Sequence, residues 1–227
     1  MEKIPEQGVI QIAYGFINAY LVIGERPILV DTGTPGTGQK ILRTINALGI
    51  TPEEIALIVL THGHTDHFGS VDRLKALTGA PVAIHRRDVE ALQNGTMKLL
   101  PRTILGRVFI LFGQEGAMVP EFVTKGPEIL IDGERSLTDF GIDGAIIPTP
   151  GHTAGSLSVL LSTGEVIAGD LLTAIFNRKK PGWPIFAEDM KQVRASVSAL
   201  LSRSPTRIYL GHGGPCTPES VRKLLKH

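Results

Sequence analysis

The chain has 227 residues, 42% of them hydrophobic and 20% charged, with a formal net charge of +1. That length and apolar content allow one well-buried core. So even a charge balance carries no electrostatic signature of nucleic acid or an anionic membrane as partner. Cys216 is the single cysteine, which excludes an internal disulfide and suits a reducing compartment. Residues 1–10 have no charged region followed by a long apolar run, so no signal peptide is expected. The most apolar later stretch, Ile104 to Phe112, is short and interrupted by Gly106 and Arg107. These features predict a cytoplasmic, single-domain protein over 1–227, with no nucleic acid and no membrane as partner.

In chain order, Ile17 to Ile23 and Pro27 to Val30 read as neighbouring strands joined at Gly24-Glu25. Gln39 to Leu48 puts Ile41, Ile45 and Leu48 on one helical face and stops at Gly49. Ile55 to Leu60 is a continuous aliphatic run, the pattern of a strand covered on both faces. Val71 to Leu77 reads as a helix, Val82 to Ile84 as a strand and Arg87 to Leu92 as a helix. Residues 97–123 fit neither pattern; apolar and punctuated by Pro101, Gly106, Gly113, Gly116 and Pro120, they read as a helical lid or insert. A helical extension of the core is the alternative.

Beyond it, Ile129 to Ile131, Ala145 to Ile147, Leu157 to Leu161 and Val166 to Ala168 read as strands separated by Gly and Asp turns. Asp189 to Leu201 is an amphipathic helix through Val193, Val197, Leu200 and Leu201. Ile208 to Leu210 is a strand, and Thr217-Pro218 supplies the N-cap and first position of a closing helix. Two strand-and-helix halves predict two sheets packed face to face with helices outside.

The predicted strand at residues 55–60 runs directly into Thr61-His62-Gly63-His64-Thr65-Asp66-His67, four potential metal ligands within six residues. Strand ends are where rigid scaffolds place reactive groups. With Gly63 between them, His62 and His64 can be aimed at one point by extended backbone, while Asp66 and His67 lie past the bend and can face a second. Gly63 is expected to let the backbone pass close to the metals. His152 follows a strand in Pro150-Gly151-His152, Asp170 in Gly169-Asp170 and His212 in Gly211-His212-Gly213. Each alone is an ordinary turn residue, but five of the seven histidines occupy such junctions. Asp31, in Val30-Asp31-Thr32-Gly33, has the setting of a carboxylate that accepts a ring N–H and fixes a ligand histidine's tautomer. Cys216 is expected to be a buried small residue rather than a soft ligand, and His85 a packing or surface histidine.

The order H-x-H-x-D-H, then Gly-His in PGHTAGS, then Gly-Asp, then Gly-His resembles the metallo-β-lactamase superfamily, and the likeness extends across essentially the whole chain. This resemblance implies an α/β fold, a four-layer αβ/βα sandwich of two mixed sheets with the metals at the sheet edge. It implies two divalent metal ions, one held by His62, His64 and His152, the other by Asp66, His67 and His212, with Asp170 bridging them. Imidazole and carboxylate ligands suit zinc, and also iron and manganese. Two such ions can share one hydroxide, available near neutral pH because coordination lowers the pKa of water to about 7; Asp66 can accept or return a proton.

The resemblance implies hydrolysis of an ester, thioester or lactone carbonyl in a small-molecule substrate, at a core similar to that of the glyoxalase II-like members. Asp170 argues against a dedicated β-lactamase, and no RNA-gripping arm is evident. The short segment after His212 and the sequence THGHTDH, where glyoxalase II-type members often have THHHxDH, separate the chain from that branch. A phosphodiesterase or nuclease of the same fold is one alternative. An iron-dependent oxygen or persulfide redox enzyme is another, although the diiron oxygen-reducing type carries Glu where His64 stands. Phe16, Leu105, Phe109, Phe112, Met118, Phe176, Trp183 and Phe186 are candidates for an apolar substrate pocket, with core packing as their ordinary alternative.

Overall fold

The computed structural model describes residues 7–95, 99–112, 126–177 and 180–226. Its first sheet contains β1 (Gly8–Tyr14), β2 (Ile17–Ile23), β3 (Ile28–Val30), β4 (Leu57–Val59), β5 (Val82–His85) and β6 (Ile129–Ile131), in that spatial order. The pairings β1–β2 and β2–β3 are antiparallel; β3, β4, β5 and β6 run parallel. The second sheet has β7 (Arg135–Ser136), β8 (Gly144–Pro148), β9 (Leu157–Leu161), β10 (Glu165–Ile167) and β11 (Arg207–Tyr209), ordered β11-β10-β9-β8-β7. Here β8 and β10 each pair antiparallel with β9, and β10 pairs parallel with β11. The helices are α1 (Gly38–Ala47), α2 (Thr65–Phe68), α3 (Val71–Thr78), α4 (Val89–Asn94), α5 (Ile104–Phe112), α6 (Met190–Ser202) and α7 (Pro218–Leu225).

Period-two alternation of apolar residues assigns the sheets' faces. On β2, Ala19, Leu21 and Ile23 face α1 and α3, meeting Ile41, Ile45 and Leu74, while Tyr20 and Val22 face the second sheet. On β4, Ile58 joins the helical side, and Leu57 and Val59 the inter-sheet core with Ile146, Val159 and Ile167. A third core packs Val166, Ala168, Ile208 and Leu210 under Val193, Val197 and Leu200 of α6 and Val221 of α7. Three cores between four layers give the expected αβ/βα sandwich. Because both faces of β2 to β4 are covered, their sequences read as continuous apolar runs.

The local rules read from sequence account for most boundaries. Asp189 caps α6 by accepting from the amides of Lys191 and Gln192, and Thr217 caps α7 with Pro218 at its first position. Strand β1 was not anticipated. It pairs with β2 along its whole length through a turn at Gly15 (φ +61°), but as a half-exposed edge strand it lacks a full apolar face. Of the proposed insert, Ile104–Phe112 is helical and residues 99–103 run beside 185–187; 97–98 and 113–123 lie outside the described residues. No helix among the described residues is long and apolar enough to cross a membrane.

Leu29 is fully buried on β3 against the helices. Leu29→Ala should therefore lower unfolding free energy by about 2–5 kcal/mol, the usual cost of such a cavity. A urea titration at fixed metal concentration reads this, and a loss below about 1 kcal/mol would contradict the placement.

Candidate metal centre

Parallel β3 and β4 and co-directional β8, β10 and β11 end at one edge of the sandwich, so the loops after them meet there. Asp31 follows β3, His62 to His67 follow β4, His152 follows β8, Asp170 follows β10 and His212 follows β11. All seven predicted ligands converge. Three groups have donor atoms within 4.8 Å of one another: His62, His64 and His152; Asp66, His67 and His212; and His62, His67 and Asp170. Asp170 lies between the first two. Its Oδ1 is 3.4 Å from His67 Nε2, and its Oδ2 is 3.1 Å from His212 Nε2 and 3.7 Å from His152 Nε2. Asp66 Oδ2 is 3.3 Å from His212 Nε2 and 3.7 Å from His67 Nε2.

Each outward ring nitrogen that has a partner leaves the opposite nitrogen for the centre. Asp31 Oδ2 accepts from His67 Nδ1 at 2.9 Å and from the Thr61 hydroxyl at 2.8 Å. With its proton committed to Asp31, the Thr61 hydroxyl accepts from His62 Nδ1 at 3.0 Å. His152 Nδ1 donates to the Phe186 carbonyl at 2.8 Å and His212 Nδ1 to the Phe16 carbonyl at 3.2 Å. These partners assign Nε2 lone pairs to the centre at His62 and His152. His64 instead turns Nδ1 inward, 3.0 Å from His152 Nε2. Buried atoms without a hydrogen bond include His62 Nε2, His67 Nε2 and Asp170 Oδ1. Such groups are costly unless something satisfies them, and imidazole and carboxylate donors in two clusters fit a pair of divalent cations.

Asp31 thus acts as anticipated, and it does so at φ +60°, a left-handed conformation uncommon outside glycine. Gly211 is required by the site, since a Cβ there would lie 2.0 Å from Asp170 Oδ1. Gly63 needs correction. A Cβ at that position would meet Ala91 at 2.8 Å and Asp88 at 3.1 Å, so the crowding comes from the segment after β5 and not from the metal side. Cys216 is buried in the α6 core and His85 is buried with its Nδ1 accepting from Arg87 N. Neither joins the centre, as expected; His227 lies outside the described residues.

A cavity of about 480 Å³ opens over His64, Asp66, His152, Asp170 and His212, with walls that include Phe16, Ile17, Leu99, Ile175, Ile185 and Phe186. Of the proposed pocket residues, Phe16 and Phe186 line it. Phe176 and Trp183 line a neighbouring space of about 300 Å³, and the Arg194 guanidinium stacks 4.2 Å from the centre of the Trp183 ring. The side chains of Leu105, Phe109 and Phe112, and all of Met118, lie outside the described residues.

Burial depresses the His62 and His64 imidazoles, with neighbouring rings adding to the effect, and takes His64 down to about 3. At His67 and His212 burial acts the same way but is outweighed. Asp170, Asp66 and Asp31 hold His67 well above the ordinary imidazole value, and Asp170 with Asp66 carries His212 up to about 10. Burial would raise Asp66 and Asp170, yet His67 and His212 hold both below the usual carboxylate range. The metal-free centre therefore has protonated His67 and His212 at neutral pH, and an entering cation must displace those protons. Loading metal-free protein with Zn²⁺ at pH 7 should release at least two protons per chain, with a further fraction from metal-bound water, and affinity should fall as pH falls. Potentiometric titration checks this; proton-free loading with pH-independent affinity would contradict it.

The family model described as the metallo-beta-lactamase superfamily matches residues 13–212. The probable metallo-hydrolase MJ0888 of Methanocaldococcus jannaschii is 32% identical over 205 residues, covering 88% of this chain and 89% of that one. Among solved structures, TTHA1623 in a di-iron-bound form has a TM-score of 0.67 at 25% identity, with 96% of this chain and 98% of that chain covered. The BLEG-1 B3 metallo-beta-lactamase has a TM-score of 0.69 at 23% identity, with 96% of each chain covered, a likeness of fold. Matched along nearly its whole length and carrying the donor groups at the edge of the same sandwich, the chain belongs to the metallo-beta-lactamase superfamily.

Proposed function

We propose that the protein is a metal-dependent hydrolase that cleaves an ester, thioester or lactone carbonyl at a dinuclear centre. His62, His64 and His152 hold one divalent ion, Asp66, His67 and His212 the other, and Asp170 is shared. The observation that carries this reading is the convergence of these donors, with His64, Asp66, His152, Asp170 and His212 on the floor of a cavity whose walls are apolar. Bound there, two cations supply Lewis acidity and make water nucleophilic near neutral pH. The rest falls to the chain's own groups. Asp66 faces the cavity, where it can accept the proton of the attacking water and return it to the leaving alkoxide or thiolate. Phe16, Ile17, Leu99 and Ile185 bind the acyl part and exclude bulk water.

Apolar walls favour an acyl group over a phosphodiester, whose charge needs cationic partners. The lid reading of the insert is supported by its described residues, which border this cavity: Leu99 lines it, and Arg102 N–H donates to the Ile185 carbonyl at 2.9 Å. Zinc is the proposed metal. The di-iron-bound form of TTHA1623 supports a second reading, an iron-dependent redox enzyme. A buried, free Cys216 supports a reducing, cytoplasmic setting.

The test is a panel of thioesters, esters, lactones, phosphodiesters and β-lactams, run with zinc, with iron and with chelator. Carbonyl hydrolysis that is lost on chelation, and reduced about 100-fold or more in Asp170→Asn, is the expected result. Phosphodiester cleavage alone, or oxygen consumption by the iron form without hydrolysis, would overturn the proposal.

A further inference from the structure

Asp88 follows β5 in the turn before α4 and is buried. Its Oδ2 accepts two hydrogen bonds, from the Gly63 amide at 2.8 Å and from the Thr153 hydroxyl at 2.7 Å. Gly63 stands between His62 and His64, and Thr153 directly follows His152. The loops press on the carboxylate from both sides: a Cβ at Gly63 would lie 3.2 Å from Asp88 Cβ, and one at Gly155 would lie 2.4 Å from Asp88 Oδ1. The Gly63 loop leaves β4 in the first sheet, and the Thr153 loop leaves β8 in the second. One buried carboxylate therefore spans the two sheets at the place where three imidazoles must meet.

We propose that Asp88 is a positioning residue that fixes the spacing of His62, His64 and His152 and thereby sets the affinity of that half of the centre. The inference rests on reading the cluster as a metal centre. Charge-assisted hydrogen bonds to backbone and hydroxyl donors are strong and directional, so the clamp limits how far the two loops can drift apart. The other half has separate supports. His67 is held by Asp31 through its ring and by the Thr32 hydroxyl through its carbonyl. His212 is held by the Phe16 carbonyl, with Asn18 bonding the neighbouring Leu210 and Gly213 carbonyls. Asp31 serves both halves, because Thr61 relays it to His62. Among the described residues, the Asp88 carboxylate takes its hydrogen bonds at Gly63, between His62 and His64, and at Thr153, beside His152, whereas His67 at the far end of the same loop has its own anchors in Asp31 and Thr32, so loss of Asp88 should act unevenly.

The experiment titrates metal-free protein with zinc against a chromophoric chelator and repeats the titration with cobalt, whose absorption spectrum reports ligand geometry. The unaltered chain should bind two ions. Asp88→Ala should keep one ion at its original affinity and hold the other roughly 10- to 100-fold more weakly, the usual effect of losing a partner behind the ligands. Asp88→Asn keeps an oxygen able to accept both bonds and should restore most of the lost affinity. Thr153→Val removes one bond of the clamp and should weaken the same ion several-fold, with the cobalt spectrum of that site altered. A folded Asp88→Ala protein with both affinities unchanged, or both weakened equally, would overturn the proposal. Should Asp88→Ala not fold, unchanged affinities in Thr153→Val would do the same. An unaltered chain that binds fewer than two ions refutes the metal-centre reading itself, and the role of Asp88 falls with it.

Discussion

The structure turns on one electrostatic constraint: five imidazoles and two carboxylates share a pocket in which their inward atoms have too few protein partners. Rings of His62, His64, His67 and His152 lie 4.2–4.7 Å apart where they pair, and His62 Nε2, His67 Nε2 and Asp170 Oδ1 are sealed from water without a hydrogen bond. Packing apolar residues in their place would be cheaper. The arrangement makes physical sense when cations supply the missing partners, and protonation of His67 and His212 is the substitute in their absence.

Holding that arrangement is the task of the sandwich. Strands β3, β4 and β5 run parallel, so the loop after β4 lies between the residues that follow its two neighbours. A carboxylate comes from each side: Asp31 reaches the rings of His67 and, through Thr61, His62, while Asp88 reaches the backbone of Gly63. Bonds between the sheets complete the frame, among them Leu157 N to the Thr61 carbonyl and Asn18 N to the Gly211 carbonyl. The inter-sheet core beneath, with Tyr20, Val59 and Val159, keeps these loops at a fixed distance.

The centre was legible in sequence because its signals are local. Four ligands fall within His62 to His67, and glycine-flanked donors at strand ends mark His152, Asp170 and His212. The continuous apolar runs of β2 and β4 and the caps at Asp189 and Thr217 are equally local. What escaped depends on contacts between distant segments. Asp88 falls in the segment read as a helix over Arg87 to Leu92, where nothing local marks it, and only the meeting of the β4 and β8 loops gives it a role. Gly63 was assigned a neighbour on the metal side when its crowding comes from Asp88 and Ala91. Trp183 and Phe176 were grouped with the pocket by composition, yet they face the adjoining space. Half-exposed β1 carried too little alternation to be distinguished from loop.

Crystals of the protein grown with zinc, measured on both sides of the zinc absorption edge, test the central claim most directly. The account predicts two anomalous peaks. One should lie about 2.0–2.2 Å from His62 Nε2, His64 Nδ1 and His152 Nε2, and the other at similar distances from Asp66, His67 Nε2 and His212 Nε2, with Asp170 reaching both. A single peak, or peaks coordinated by other residues while these side chains point apart, would contradict it.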